Sequence, residues 1–133
     1  LKRLDTNGVL VDTCVWIEFF KTDSAISLEL ENLIKTDSIW ICGIVLLELI
    51  QGVRSEDEKN KIIDALSGFK YVEMSKSLWQ RAGELLASLK KKGFNLPLSD
   101  ILVSTIALER NLRVFTFDKH FAHIPDLKLH KIE

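Results

Sequence analysis

Four carboxylates carry the chemistry that this sequence offers. Asp12 follows the apolar run Gly8-Val9-Leu10-Val11, and Asp118 follows Arg113-Val114-Phe115-Thr116-Phe117, so each falls where a strand ends. In open parallel sheets, loops and helix N-termini converge beyond the carboxyl ends of the strands, and ligands bind there. Both acids also have an ordinary use, because an Asp between a strand and a helix is a good N-cap, worth about 1 kcal/mol. Asp100 is equally double-edged: Ser99 would cap the helix that starts there, and Asp100 would complement the dipole in its first turn. Glu48 differs from the other three. Ile44, Val45, Leu46, Leu47, Leu49 and Ile50 surround it in mid-helix, where no capping role exists.

A lone buried carboxylate costs several kcal/mol even after relaxation, so Glu48 requires a cation, a proton or a route to water. No basic residue occurs between Lys35 and Arg54, which leaves a local ion pair without a partner and favours a metal. Several acids at one site repel each other, and the hard oxygen donors they provide suit Mg²⁺ or Mn²⁺. Such a site fits phosphodiester hydrolysis, in which an ion polarises phosphoryl oxygens, activates water and offsets charge on the leaving oxygen.

The elements that would position these acids alternate between strand and helix. After the first strand a helix runs through Trp16-Ile17-Glu18-Phe19-Phe20, and a second, capped from Thr22-Asp23-Ser24, carries Ile26, Leu28, Leu30, Leu33 and Ile34. Ser38-Ile39-Trp40-Ile41 is a second strand. The nearly continuous apolar stretch from Gly43 to Ile50 predicts a largely buried helix stopped at Gly52 by a left-handed residue. Ser55 and Glu58 make a capping box for the next helix, which ends at Gly68. Phe69-Lys70-Tyr71-Val72 is a third strand, and Leu78, Trp79, Ala82, Leu85, Leu86 and Leu89 mark a long amphipathic helix closed by Gly93. A helix from about Asp100 to Glu109 precedes the strand at 113–117, and the alternating tail 127–132 has the pattern of an edge strand. Parallel neighbours need crossovers, so the expected fold is α/β: one domain over 1–133, with a parallel sheet of four to five short strands covered by helices on both faces.

Composition agrees with a globular chain. The 133 residues are 47% hydrophobic and 28% charged, which is enough for one core without a staple. Cys14 and Cys42 lie in apolar surroundings and read as buried and reduced. No basic-then-apolar leader and no apolar run of about 18 residues occurs, so a cytoplasmic protein without a membrane span is expected. A net charge of -1 argues against broad attraction to nucleic acid, but a metal on the four acids leaves the remainder net positive, and local basic patches then decide.

Four segments resemble PIN domains, particularly the VapC toxin group: Leu10-Val11-Asp12-Thr13-Cys14-Val15-Trp16-Ile17-Glu18, Ile44 to Gly52, Leu96 to Ala107, and Val114-Phe115-Thr116-Phe117-Asp118-Lys119-His120-Phe121. They keep family order across roughly residues 8 to 124. The resemblance implies an endoribonuclease using Mg²⁺ or Mn²⁺, with Asp12, Glu48, Asp100 and Asp118 as the metal site and Thr13 and Thr116 as supporting hydroxyls. It also implies an RNA substrate and a cognate antitoxin that covers the site. Many relatives have Ser where Cys14 stands, and the stretch from Asp23 to Ile39 matches in pattern only.

Other features weigh less. His120 and His123 stand at helical spacing, but two nitrogens without a nearby third ligand read as surface histidines. Lys90-Lys91-Lys92 is favourable at a helix C-terminus whatever the function; with Arg81 it is the best candidate for an RNA-backbone contact. Trp16, Phe19 and Phe20 are first of all core, with some surplus for a homodimer or antitoxin surface. A haloacid-dehalogenase-type phosphatase would want a second Asp where Cys14 stands, and a response-regulator receiver would want a Lys ending its last strand. A non-toxin PIN nuclease of RNA processing and a non-catalytic module using the acids as caps are the remaining alternatives.

Overall fold

A computed structural model of the chain describes residues 7–132. The first strand, β1 (Val9–Val11), has all three side chains fully buried, as expected of a strand covered on both faces. Helices α1 (Thr13–Lys21) and α2 (Ala25–Lys35) lead to β2 (Ile39–Cys42). Then come α3 (Gly43–Gln51), α4 (Glu56–Leu66) and β3 (Lys70–Val72). The chain finishes with α5 (Lys76–Lys91), α6 (Leu98–Arg110), β4 (Arg113–Phe115) and a 3₁₀ turn, α7, at Lys119–His123.

All pairings in the sheet are parallel and its order is β3-β2-β1-β4. The chain therefore builds outward from β1 through β2 to β3, then crosses back to lay β4 on the other side of β1. That reversal opens a crevice beyond the carboxyl ends of β1 and β4. Across it the Asp12 N–H donates to the Phe115 carbonyl at 2.9 Å, which holds the two strand ends together.

Local chemistry explains most element ends. Ser24, Ser55 and Ser75 each accept from a backbone N–H three residues on, capping α2, α4 and α5. Several expectations need correction. Helix α6 starts two residues before Asp100, with Pro97 at the cap position, so Ser99 lies inside the helix and caps nothing. Gly52 ends α3 in the right-handed region, φ -93°; among the described residues the left-handed stops are Asp37 at φ 54°, Gly93 at φ 89° and Asn111 at φ 56°. Thr116 and Phe117 lie outside β4. The tail reaches the outer edge of β4 through a single bridge, Val114 to Leu129, because its two backbone hydrogen bonds both converge on Val114.

Helix α3 departs furthest from its reading. Val45 and Leu49 are buried, but Leu47 is 58% exposed and Glu48 half-buried. Its ring of apolar residues hides a solvent-facing side.

Trp16 anchors the core on the α1 side. It is fully buried, with the rings of Phe19, Phe20 and Phe69 at 5.9, 6.0 and 5.5 Å. Phe19 is half-buried and Phe20 exposed. Trp16→Ala is expected to cost roughly 3–5 kcal/mol of unfolding free energy in a urea titration. Trp16→Phe should cost much less, since Trp16 Nε1 has no hydrogen-bond partner to lose.

Candidate metal centre

Each acid reaches the crevice from its own element. Asp12 is both cap and site residue: it stands at the N-cap of α1, Oδ1 accepts from the Thr13 N–H at 2.9 Å, and the residue is only 5% exposed. Its Oδ2 accepts from the Thr116 hydroxyl at 2.8 Å. Asp118 caps the 3₁₀ turn, accepting from the His120 N–H at 3.0 Å. The Asp118 N–H in turn donates to the Thr116 hydroxyl oxygen at 3.0 Å. Thr116 thus ties the ends of β1 and β4 through one hydroxyl. Asp100, in the first turn of α6, is 6% exposed.

Glu48 joins from α3. The Thr13 hydroxyl donates to its Oε1 at 2.7 Å, and among the described residues no lysine or arginine forms an ion pair with it. Its carboxylate contributes to the unfavourable charge environment of Asp12. Thr13 and Thr116, expected as supporting hydroxyls, hold Glu48 and Asp12 respectively.

The tightest grouping was not expected. Oxygens of Asp100 and Asp118 and a ring nitrogen of His120 lie within 4.8 Å of one another. His120, expected as a surface histidine, is exposed, yet its Nδ1 is 3.0 Å from Asp100 Oδ2 and 3.0 Å from Asp118 Oδ1. His123 instead stacks on Phe94 at 4.4 Å. The signal for His120 is its place two residues after Asp118, the cap of the 3₁₀ turn, and not its spacing from His123.

The basic candidates divide. Arg81 pairs with Glu109, which lies nine residues along α6 from Asp100, roughly 13 Å at the helical rise. That engagement takes Arg81 away from the acids. Lys90, Lys91 and Lys92 are exposed at the C-terminal end of α5, and a short loop connects that end to the first turn of α6. Cys42 is buried, but Cys14 is only half-buried, with Sγ 3.5 Å from Asp12 Oδ2 and 3.4 Å from Thr116 Oγ1. Burial pushes both thiols up to about 11, so both are uncharged at neutral pH.

Burial above all raises the Asp100 carboxyl to about 6; the carboxylates of Asp118 and Asp12 add to the rise, while the His120 hydrogen bond opposes it. Burial likewise raises Asp12, against the hydrogen bonds from Thr116 and Thr13. Hard oxygen donors converging from separate elements, with their charged forms disfavoured, fit a divalent cation.

The chain matches the PIN domain family over residues 9–127. It is 33% identical over 131 residues to Ribonuclease VapC2 of Rickettsia felis, covering 95% of this chain and 93% of that one. The crystal structure of VapBC2 from Rickettsia felis, bound to a DNA fragment from its promoter, superposes with a TM-score of 0.79 at 28% identity, over 92% of this chain and 96% of that one. A toxin-antitoxin complex from Klebsiella pneumoniae gives 0.75 at 25% identity, over 90% and 95%. This protein belongs to the PIN domain family, and within it the likeness is to VapC ribonucleases.

The raised Asp100 carboxyl sets the sign of a pH effect. The unfolded chain releases this proton near 3.8 and the folded chain near 6, so in that window the folded state binds more protons and stability falls as pH rises. Without divalent ions, the melting temperature is expected to decline from pH 4 to pH 6, with Asp100→Asn flattening the slope. Millimolar Mn²⁺ should raise the melting temperature at pH 7.5 and lose most of that effect at pH 5, where Asp100 is protonated.

Proposed function

We propose that this chain is a metal-dependent endoribonuclease and the toxin of a toxin-antitoxin pair, with Asp12, Glu48, Asp100 and Asp118 as its acidic machinery. One observation carries the reading: Asp100 and Asp118 have oxygens within 4.8 Å of each other, Asp100 also feels the charge of Asp12, and Asp12 that of Glu48, while among the described residues no lysine or arginine forms an ion pair with any of the four. Asp12, Asp100 and Asp118 would hold the ion, Mg²⁺ or Mn²⁺, with Glu48 completing the set. When bound, such an ion polarises the phosphoryl group, favours ionisation of the attacking water and offsets charge on the departing oxygen.

The chain's own residues supply placement. Thr116 fixes the rotamer of Asp12, and Thr13 turns Glu48 toward it, so the donor atoms are arranged before substrate arrives. Asp100 receives the favourable end of the α6 dipole, which eases its ionisation when a cation is present. Lys90, Lys91 and Lys92, at the same end of the α5–α6 hairpin as Asp100, serve as contacts for the RNA backbone.

A groove of about 730 Å³ leads away from Glu48 between α1, α3 and α4, lined by Ile17, Phe20, Leu49, Arg54 and Ile62. It suits a protein segment with an apolar face, and we assign it to the antitoxin, which would then cover Glu48. The relatives that support this reading are those described as VapBC and toxin-antitoxin complexes. No helix among the described residues is long and apolar enough to cross a membrane; the cytoplasm is the natural compartment for an RNA-cutting toxin, and homodimerisation through leftover apolar surface completes the proposal.

Asp12→Asn is expected to lower Mn²⁺-dependent cleavage of single-stranded RNA by at least about a hundredfold, since even outer-shell partners of a metal typically cost 10–100-fold. Asn is as good an N-cap as Asp, so the melting temperature in EDTA should hardly move. Undiminished cleavage by this variant would overturn the assignment. Ile17→Asp, in the groove, should leave cleavage intact and weaken capture of the cognate antitoxin by about tenfold or more, read by titration calorimetry.

A further inference from the structure

His120 is the residue that the acidic reading does not absorb. The 3₁₀ turn carrying it is anchored by Asp118, whose Oδ1 accepts the His120 N–H, and that contact fixes the start of the side chain. The ring then turns into the crevice although the residue is exposed overall, its side chain at 48%. Its Nδ1 stands 3.0 Å from an oxygen of Asp100 and 3.0 Å from an oxygen of Asp118. A small divalent ion with octahedral ligands at 2.0–2.1 Å keeps adjacent donors about 2.8–3.0 Å apart. The two spacings at Nδ1 match neighbouring corners of that figure.

We propose that His120 is itself a metal ligand, through Nδ1, and that it biases the centre toward Mn²⁺ over Mg²⁺. The inference rests on the metal-dependent reading of the same site. Mg²⁺ is the harder ion, strongly attached to oxygen and to its own water, whereas imidazole nitrogen suits transition metals. A centre of carboxylates alone would distinguish the two ions weakly; one nitrogen donor gives it a preference. Coordination through Nδ1 requires that nitrogen's lone pair to face the ion and the ring hydrogen to sit on Nε2.

The test is pulsed electron paramagnetic resonance of the Mn²⁺-loaded chain, together with calorimetric titration by Mn²⁺ and by Mg²⁺. The wild type should show imidazole ¹⁴N modulation of the Mn²⁺ signal. His120→Asn should abolish it and weaken Mn²⁺ binding by about tenfold or more, while Mg²⁺ binding changes less than about threefold. His120→Asp, which returns an oxygen donor, should restore binding of both ions without the ¹⁴N signal and erase the preference for Mn²⁺. Mn²⁺ bound to the wild type without ¹⁴N modulation would overturn the proposal and leave the acidic site standing, as would equal losses for both ions in His120→Asn. Failure of the wild type to bind either ion would overturn both readings. Melting temperatures in EDTA check that each variant is folded.

Discussion

Everything at the working edge of this protein depends on holding like charges together out of water. Asp12 and Asp100 are almost wholly buried, and each carries the field of another acid. Desolvation penalises each charge separately, and proximity penalises them jointly. A sheet of four short strands can bear this only because the rest of the fold is apolar and well connected: β1 is buried throughout, Trp16 has no exposed surface, and the middle of α6 is buried at every residue from Asp100 to Ala107. The core stabilises an arrangement that would otherwise fly apart, and a cation removes the reason for it to do so.

The same residues serve architecture and chemistry together. Asp12 caps α1 with one oxygen and leaves the other for Thr116; Asp118 caps the 3₁₀ turn and stands beside His120. The ordinary and the functional explanation of these acids, which compete when residues are considered one at a time, are here two faces of one geometry. Helix N-termini collect unsatisfied N–H groups and positive potential, so capping acids are drawn to the place where an ion would also be useful.

Local patterns made much of this fold legible. The strand end before Asp12, the serine caps at Ser24 and Ser55, and the strand-helix alternation are readable, because capping chemistry and side-chain period are short-range. Three things were not. The exposure of Leu47 was hidden because residue type does not fix burial, and Glu48 consequently looked more enclosed than it is. The start of α6 escapes the reading because Pro97, at the cap position, has no side chain that could cap, so no capping residue marks the turn beginning at Leu98. His120 meets Asp100 only once α6 and the segment after β4 are brought side by side, a contact across 20 residues that no spacing rule encodes.

The brevity of β3 bears on how the molecule behaves in company. It is three residues long and forms one margin of the sheet, with Lys70 and Tyr71 exposed and only Val72 buried. A margin this short, bearing a charged side chain, gives a foreign strand little to pair with. At the opposite margin the tail lies against Val114. A chain whose sheet is guarded at both sides has little tendency to aggregate edge to edge, even at high concentration.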